Sequence, residues 1–525
     1  MLHWVMQNRQ WLFDGVGVSA LALIAWFLKG WLKPKPIPSP HQTVTQSPTI
    51  IFSPVITVSP IINLSETRDL EPPKPILSPS ALPIASTDLN GQVIKTKKKA
   101  LQGDIPIPSP GAHMKINIDP VISSRIRAAW AKLTPAQQAE LAPAIMSANQ
   151  QAVTIAQTGK APAGPAGPHH LMLAQSALSN DKDNVVSNLE AGVVLDVGGD
   201  GEIWGTGKYE QLDPGWAEAF AVFLESLLTG KHPFMANPVV VSIPDAVQIG
   251  LAGDWGTGEW RTASNPAPST GVASHMASLK PHVTIHLGDV YYAGTDDQEQ
   301  HLFVDIWPKG SIGSLALNSN HEMYPGAKPY FKAIVGPPFG IQNGCSFFAL
   351  ENKNWVVVGL DSAYFAPESG LYMDGSLIPP GGGTQELFLQ AQAAKGKKVI
   401  VLTHHNGLSE DGSSTNTLYQ QVTSSFPAGN GPAYWYWGHK HMGAVYRPQE
   451  PNGVPCRCCG HGALPWGQAS SLAGKQSVQW YENRSANDPD IPQRVLNGFA
   501  VLSLNGPNIQ ETFYDENGGV AWKSA

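Results

Sequence analysis

From about Asn237 onward one pattern recurs: a short apolar run stops abruptly on glycine and on residues that can bind a metal or carry a proton. Val247 to Ala252 runs into Gly253-Asp254-Trp255-Gly256, Val283 to Leu287 into Gly288-Asp289-Val290-Tyr291-Tyr292, and Leu315 to Leu317 into Asn318-Ser319-Asn320-His321-Glu322. Val399 to Leu402 leads through Thr403 into His404-His405, and Tyr434 to Trp437 leads into Gly438-His439-Lys440-His441; Trp355 to Leu360 is a further apolar run. Runs this short, bounded by turn residues and separated by helical stretches, predict strands joined by crossovers. The domain is therefore expected to be layered α/β, with function gathered at the carboxyl ends of its strands.

Any one of these clusters is weak, because Gly-Asp and His-x-His pairs arise by chance. Five in succession, each in register with a strand end, predict a dinuclear metal site. The ordered set resembles the calcineurin-like metallophosphoesterase superfamily, and its details resemble the purple acid phosphatase branch. In the wider superfamily the first motif is Asp-x-His, but position 256 is glycine; in the branch the first motif is Asp-x-Gly and the second is Gly-Asp-x-x-Tyr, which Gly288, Asp289 and Tyr292 match. The resemblance runs from about residue 245 to 515 and implies a four-layer αββα sandwich over residues 237–525. It implies that Asp254, Tyr292 and His441 bind one metal, that Asp289 bridges to a second, and that Asn320, His404 and His439 complete the second site. Tyr291, one residue away, is expected to turn to the opposite face of a strand and pack in the core.

A phenolate is a hard anionic donor suited to iron(III), whereas the Asn/His/His set suits a divalent zinc, manganese or iron. Two ions held by a bridging carboxylate would generate a metal-bound hydroxide nucleophile. His321 is the candidate to give a proton or hydrogen bond to the phosphoryl or leaving oxygen, or else orients the site through Glu322. His405 and His461 are candidates to face substrate. The activity implied is acid-phosphatase-like hydrolysis of small-molecule phosphoesters. Two alternatives stay open: a phosphodiesterase acting on a nucleotide or other diester, and a catalytically silent, membrane-tethered interaction protein. Ser319 replaces a glycine usual before Asn-His-Glu, Asn406 stands where proline is common, and no β-sandwich domain precedes the catalytic part, so substrate preference does not carry over.

The first 236 residues have a different character. Trp11 to Leu32 is apolar apart from Asp14, glycines, Ser19 and Lys29, and as a helix would span about 33 Å, against a hydrocarbon core of about 30 Å. A cleaved signal or a buried helix would also suit its uncharged centre, Gly15 to Leu28. The flanks favour an uncleaved single-pass anchor over residues 1–32, because Lys29, Trp31 and Lys33 follow directly without a small-residue cleavage pattern. Arg9 before the span and Lys29, Lys33 and Lys35 after it place the bulk in the cytoplasm, although secreted relatives point the other way. Residues 33–112 are proline-rich and read as an extended tether. Its basic run Lys95, Lys97, Lys98 and Lys99 is read as a solvated face before a contact with lipid headgroups.

Residues 113–236 read as a mainly helical module, with one helix capped at Asp119-Pro120, a second beginning at Thr134-Pro135, and an amphipathic third from Pro214 to Leu228. His169 and His170 are read as loop residues, and Asp196 to Gly201 as a glycine-rich turn that lacks the later ligands of an EF-hand. Cys456, Cys458, Cys459 and His461 are too compact for a standard zinc site and read as a loop near the active-site mouth. Four cysteines in 525 residues exclude a disulfide scaffold. Ten Lys and Arg against six Asp and Glu give residues 1–110 a net +4, and the 24 against 35 in the remainder give -11. An acidic body disfavours nucleic acid as a partner. A protein partner is not named by any motif.

Overall fold

Side-chain alternation along the strands divides the described chain into layers. In the strand Trp355–Gly359, Trp355 and Val357 belong to one apolar cluster while Val356 and Val358 belong to another; in Lys398–Thr403, Ile400 and Leu402 separate from Val399 and Val401 in the same way. Strands buried on both faces read as continuous apolar runs, which is why these segments were visible in the sequence. The protein is a computed structural model that describes residues 115–525, apart from 164–166, 180–183, 380–381, 428–429 and 449–452. The expected anchor and the tether fall on residues outside those described. Among the described residues no helix is long and apolar enough to cross a membrane.

Among the described residues, sixteen strands form three sheets. A small antiparallel ribbon joins β1 (Val194–Val197) to β2 (Ile203–Gly205). The others, in chain order, are β3 (Val240–Ser242), β4 (Ala246–Ala252), β5 (Val283–His286), β6 (Gly313–Ala316), β7 (Phe348–Glu351), β8 (Trp355–Gly359) and β9 (Lys398–Thr403), then β10 (Tyr434–Trp437), β11 (Gly443–Tyr446), β12 (Cys456–Cys459), β13 (Val478–Tyr481), β14 (Gly498–Asn505), β15 (Asn508–Asp515) and β16 (Val520–Lys523). One mixed sheet has the order β16-β15-β14-β4-β5-β6, with β4, β5 and β6 parallel. The second has the order β13-β11-β12-β10-β9-β8-β7-β3, with β8, β9, β10 and β12 parallel. One apolar cluster holds Ile249, Leu251, Ile285, Leu315, Val357, Ile400, Leu402 and Leu502, so the two sheets pack face to face on it. Across that layer Arg457 of β12 meets Glu511 of β15 in a buried two-pronged pair (2.7 and 2.8 Å), with the Tyr436 hydroxyl on the same carboxylate.

The helical segments form where the sequence caps them. Helix α1 (Pro120–Trp130) starts where Asp119 accepts from the Val121 N–H, and α2 (Pro135–Thr158) starts with the Thr134/Gln137 capping box and ends on Gly159 in the left-handed conformation. Helix α3 (Ala217–Thr229) follows a 3-10 turn, Pro214–Trp216, capped by Asp213. These elements do not form a separate body. Ala112–Ala525 is one compact unit, and a single apolar cluster runs from Ile126, Ile145 and Phe220 of the helices to Val272, Tyr324, Phe331 and Phe499 of the sheet region.

Candidate active site

Five loops meet where strands end. The cluster after β4 carries Asp254, that after β5 carries Asp289, that after β6 carries Asn320 and His321, and β9 and β10 lead into His404 and His439/His441. Turning the chain sharply out of each strand needs unusual backbone: Asp254, Asp289 and His439 all take positive φ (56°, 78° and 63°). Non-glycine residues there store strain, which the surrounding fold must hold in place. Position 256 could carry no ligand at all, because a Cβ on Gly256 would lie 2.7 Å from the Asp289 carbonyl oxygen and the Val290 Cα.

The donors fall into two groups. In the first, Asp254, Asp289 and His441 bring one ligand atom each within 4.8 Å of one another. The Tyr291 hydroxyl sits among them, 2.9 Å from Asp289 Oδ2 and 3.3 Å from both Asp254 Oδ1 and His441 Nε2. In the second, His404 Nε2 lies 2.9 Å from Asn320 Oδ1, 3.2 Å from His439 Nδ1 and 3.4 Å from Asp289 Oδ1. His404 Nδ1 donates to the Leu287 carbonyl (2.9 Å), so its Nε2 carries a lone pair; Asn320 Nδ2 points to the Tyr324 hydroxyl, so Oδ1 is the atom turned inward. Lone pairs thus converge with too few protons to go between them. Such a set fits a pair of cations bound through oxygen and nitrogen, with Asp289 contributing one oxygen to each group.

Burial sharpens the electrostatics. Asp254, Asp289, Asn320 and His404 are at most 1% exposed, and His439 and His441 are 7% and 8%. Burial and the adjacent Asp289 hold the Asp254 carboxyl well above its ordinary range. Burial works the same way on Asp289, but the imidazoles of His321, His404 and His439 and the Ser319 hydroxyl outweigh it and hold this carboxyl well below. Burial also pushes His441 down to about 3 and His439 well below its usual value, leaving both rings neutral.

The expectation that Tyr292 joins the metal group and Tyr291 packs in the core is reversed. Residues 291–293 form a turn, not a strand, so the period of two that separated the two phenols does not apply. The Tyr292 hydroxyl instead donates to Asp213, which also accepts from the Tyr209 and Gly215 N–H groups. His321 Nδ1 donates to the Tyr292 carbonyl (2.6 Å) and its Nε2 faces Asp289 Oδ2 at 3.9 Å. Ser319, the departure from the usual glycine, puts its hydroxyl between Asp289 and Glu322 and accepts from the His321 N–H.

His405 and His461, the two candidates to face substrate, are both buried, and one ligand atom each of His404, His405 and His439 lies within 4.8 Å of the others. His405 is buried with both nitrogens engaged, by the Ser362 hydroxyl (2.9 Å) and the Tyr372 carbonyl (2.7 Å), and His461 is 2% exposed against Phe513. The cysteines lie in β12 itself, where alternation sends Cys456 and Cys458 to one face and Cys459 to the other, so they make neither a loop nor a shared site. The helical region, in contrast, reaches the site. Trp216 packs against Tyr291, Tyr292 and His321 with ring centroids 5.7, 4.8 and 5.8 Å away, and His169 lies 4.2 Å from Trp216. No spacing in the sequence signals contacts this distant along the chain.

Residues 248–443 match the calcineurin-like phosphoesterase family. The calcineurin-like segment begins within β4 and ends at the first residue of β11, so it takes in all five strand-end clusters. No curated protein matches the chain. GAP50, the anchor in the inner membrane complex of Plasmodium, is similar at 14% identity over 53% of this chain and 88% of its own, with a TM-score of 0.36. A dimetal phosphatase from Danio rerio is similar at 13% identity over 51% of this chain and 95% of its own, with a TM-score of 0.32.

Proposed function

We propose that this protein is a metal-dependent phosphoester hydrolase of the purple acid phosphatase kind, acting on small phosphoesters through two metal ions in an αββα sandwich. The observation that carries the proposal is the convergence of Asp254, Asp289, Tyr291 and His441 on one point and of Asn320, His404, His439 and Asp289 on another, inside a segment matching a phosphoesterase family. In this reading the Tyr291 oxygen makes the first site suited to iron(III), and the second suits zinc, manganese or iron(II). When bound, the ions polarise the phosphoryl oxygens and acidify a water.

The chain's own residues do the rest. Asp289 fixes the separation of the two sites, with Ser319 holding its carboxylate in place. His321, anchored through Nδ1, offers Nε2–H to a phosphoryl or leaving oxygen in its doubly protonated form. Burial of the whole set keeps bulk water from screening these charges. Residues 1–32 tether the enzyme as a single-pass anchor, with the catalytic part on the cytoplasmic side; sedimentation of the full chain with membranes, and its release on removing residues 1–33, tests this part.

Asp289→Ala is expected to abolish hydrolysis of both aryl phosphate monoesters and diesters, and to lower bound metal to one ion or none by elemental analysis. Two retained ions would remove Asp289 from its shared position.

A further inference from the structure

His169 belongs to the helical region, outside the family match, and nothing in the strand-end motifs points to it. Its Nε2 is buried and has no hydrogen-bond partner. Buried polar atoms are almost always paired, so an unpaired one calls for a partner. The ring is not loosely held: it packs on Trp216 at 4.2 Å and edge-on to His170 at 5.7 Å, in a 3-10 turn whose Leu171 N–H closes on the Pro168 carbonyl. It lies nearly parallel to His321, 19° between planes and 6.2 Å between centroids, and His321 Nε2 is itself 3.9 Å from Asp289. An unpartnered nitrogen thus lies one ring away from the histidine that faces the shared carboxylate.

We propose that His169 is a further substrate-binding residue, whose Nε2–H hydrogen-bonds a phosphoryl oxygen beside His321. This rests on the phosphoester reading above. A tetrahedral phosphoryl group held by two ions still presents oxygens away from them, and those need donors. Burial together with His170 and His321 holds the His169 imidazole well below its ordinary pKa, so it donates as a neutral ring through a single nitrogen. His170 has an unpaired Nε2 as well, but its ring lies against Tyr324, 4.9 Å between centroids, with Nδ1 3.4 Å from that hydroxyl.

The test uses the full chain loaded with metal, inorganic phosphate binding by titration calorimetry, and aryl phosphate hydrolysis. His169→Ala is expected to retain two ions and its melting temperature, to weaken phosphate binding by roughly tenfold or more, and to raise KM in parallel. His169→Gln, whose amide nitrogen reaches the same place, is expected to restore much of the affinity, and His170→Ala to leave it unchanged. Phosphate affinity in His169→Ala equal to wild type overturns the proposal, as does loss of metal in that variant. Should His169→Ala not fold, equal affinity in the near-isosteric His169→Asn overturns it instead. A wild-type protein that holds two ions yet neither binds phosphate nor hydrolyses either ester class fails at the earlier step, and so separates the two readings.

Discussion

Tyr291 and Tyr292 share a peptide bond and serve different neighbours, which makes them a matched pair of probes. Phenylalanine at either position keeps the ring and removes one oxygen. In iron-loaded protein, Tyr291→Phe is expected to bleach the visible phenolate charge-transfer band. Tyr292→Phe should keep that band and lower stability by about 1–3 kcal/mol in denaturant melts, because a hydroxyl is lost from the buried Asp213 carboxylate. The opposite pattern would return Tyr292 to the metal group. Glu202 supplies a separate residue-scale prediction. Burial and Asp200 push its carboxyl up to about 8, from an ordinary 4.5. The folded state therefore favours the protonated form: its contribution is complete below pH 4.5 and is lost as pH rises towards 8, with a slope of at most about 1.4 kcal/mol per pH unit. Glu202→Gln should flatten that limb of the stability profile, and melts between pH 5 and 8 check it.

At the scale of elements, the strand ends were legible because two independent signals coincide in them. A buried parallel strand must be apolar throughout, and the left-handed turn that follows must use glycine or a short polar residue, so Gly253-Asp254, Gly288-Asp289 and Gly438-His439 stand out without any structure. Strand geometry ends at His286, so the period of two does not reach Tyr291 and Tyr292, and the two tyrosines exchange places relative to the sequence expectation. Sequence reasoning could not find His169, Trp216 or Asp213, because contacts between a helical segment and a distant loop depend on packing and leave no period. Nor does it reveal how the sheets are joined. Arg457 and Glu511 are each at most 6% exposed, and removing one partner leaves the other charge buried alone. Glu511→Gln is expected to cost about 3–5 kcal/mol in chemical denaturation, whereas a similar change at the exposed pair Lys332–Asp296 should cost no more than about 1.

Across the whole described molecule, the helical region and the sheets share one apolar core. A fragment of residues 237–525 would expose the faces of Val272, Tyr324, Phe331 and Tyr372 that this core covers, and it would lose Trp216 and Asp213 from the site. Such a fragment is expected to aggregate or to lack a cooperative melt, whereas residues 112–525 should melt in one transition; calorimetry on the two distinguishes them.

The closure of the site also has a consequence in time. With every donor at most 8% exposed and Trp216 packed on Tyr291, ions bound here would be well shielded from solvent. If exchange passes the packed Trp216, Tyr292 and Asp213, it is expected to follow local opening there. A chelator added to loaded protein should therefore strip it with a single first-order rate that stops rising as chelator concentration increases, and Trp216→Ala should raise that plateau. The clock for metal loss, and for any product as deeply seated, is set by the protein's own breathing.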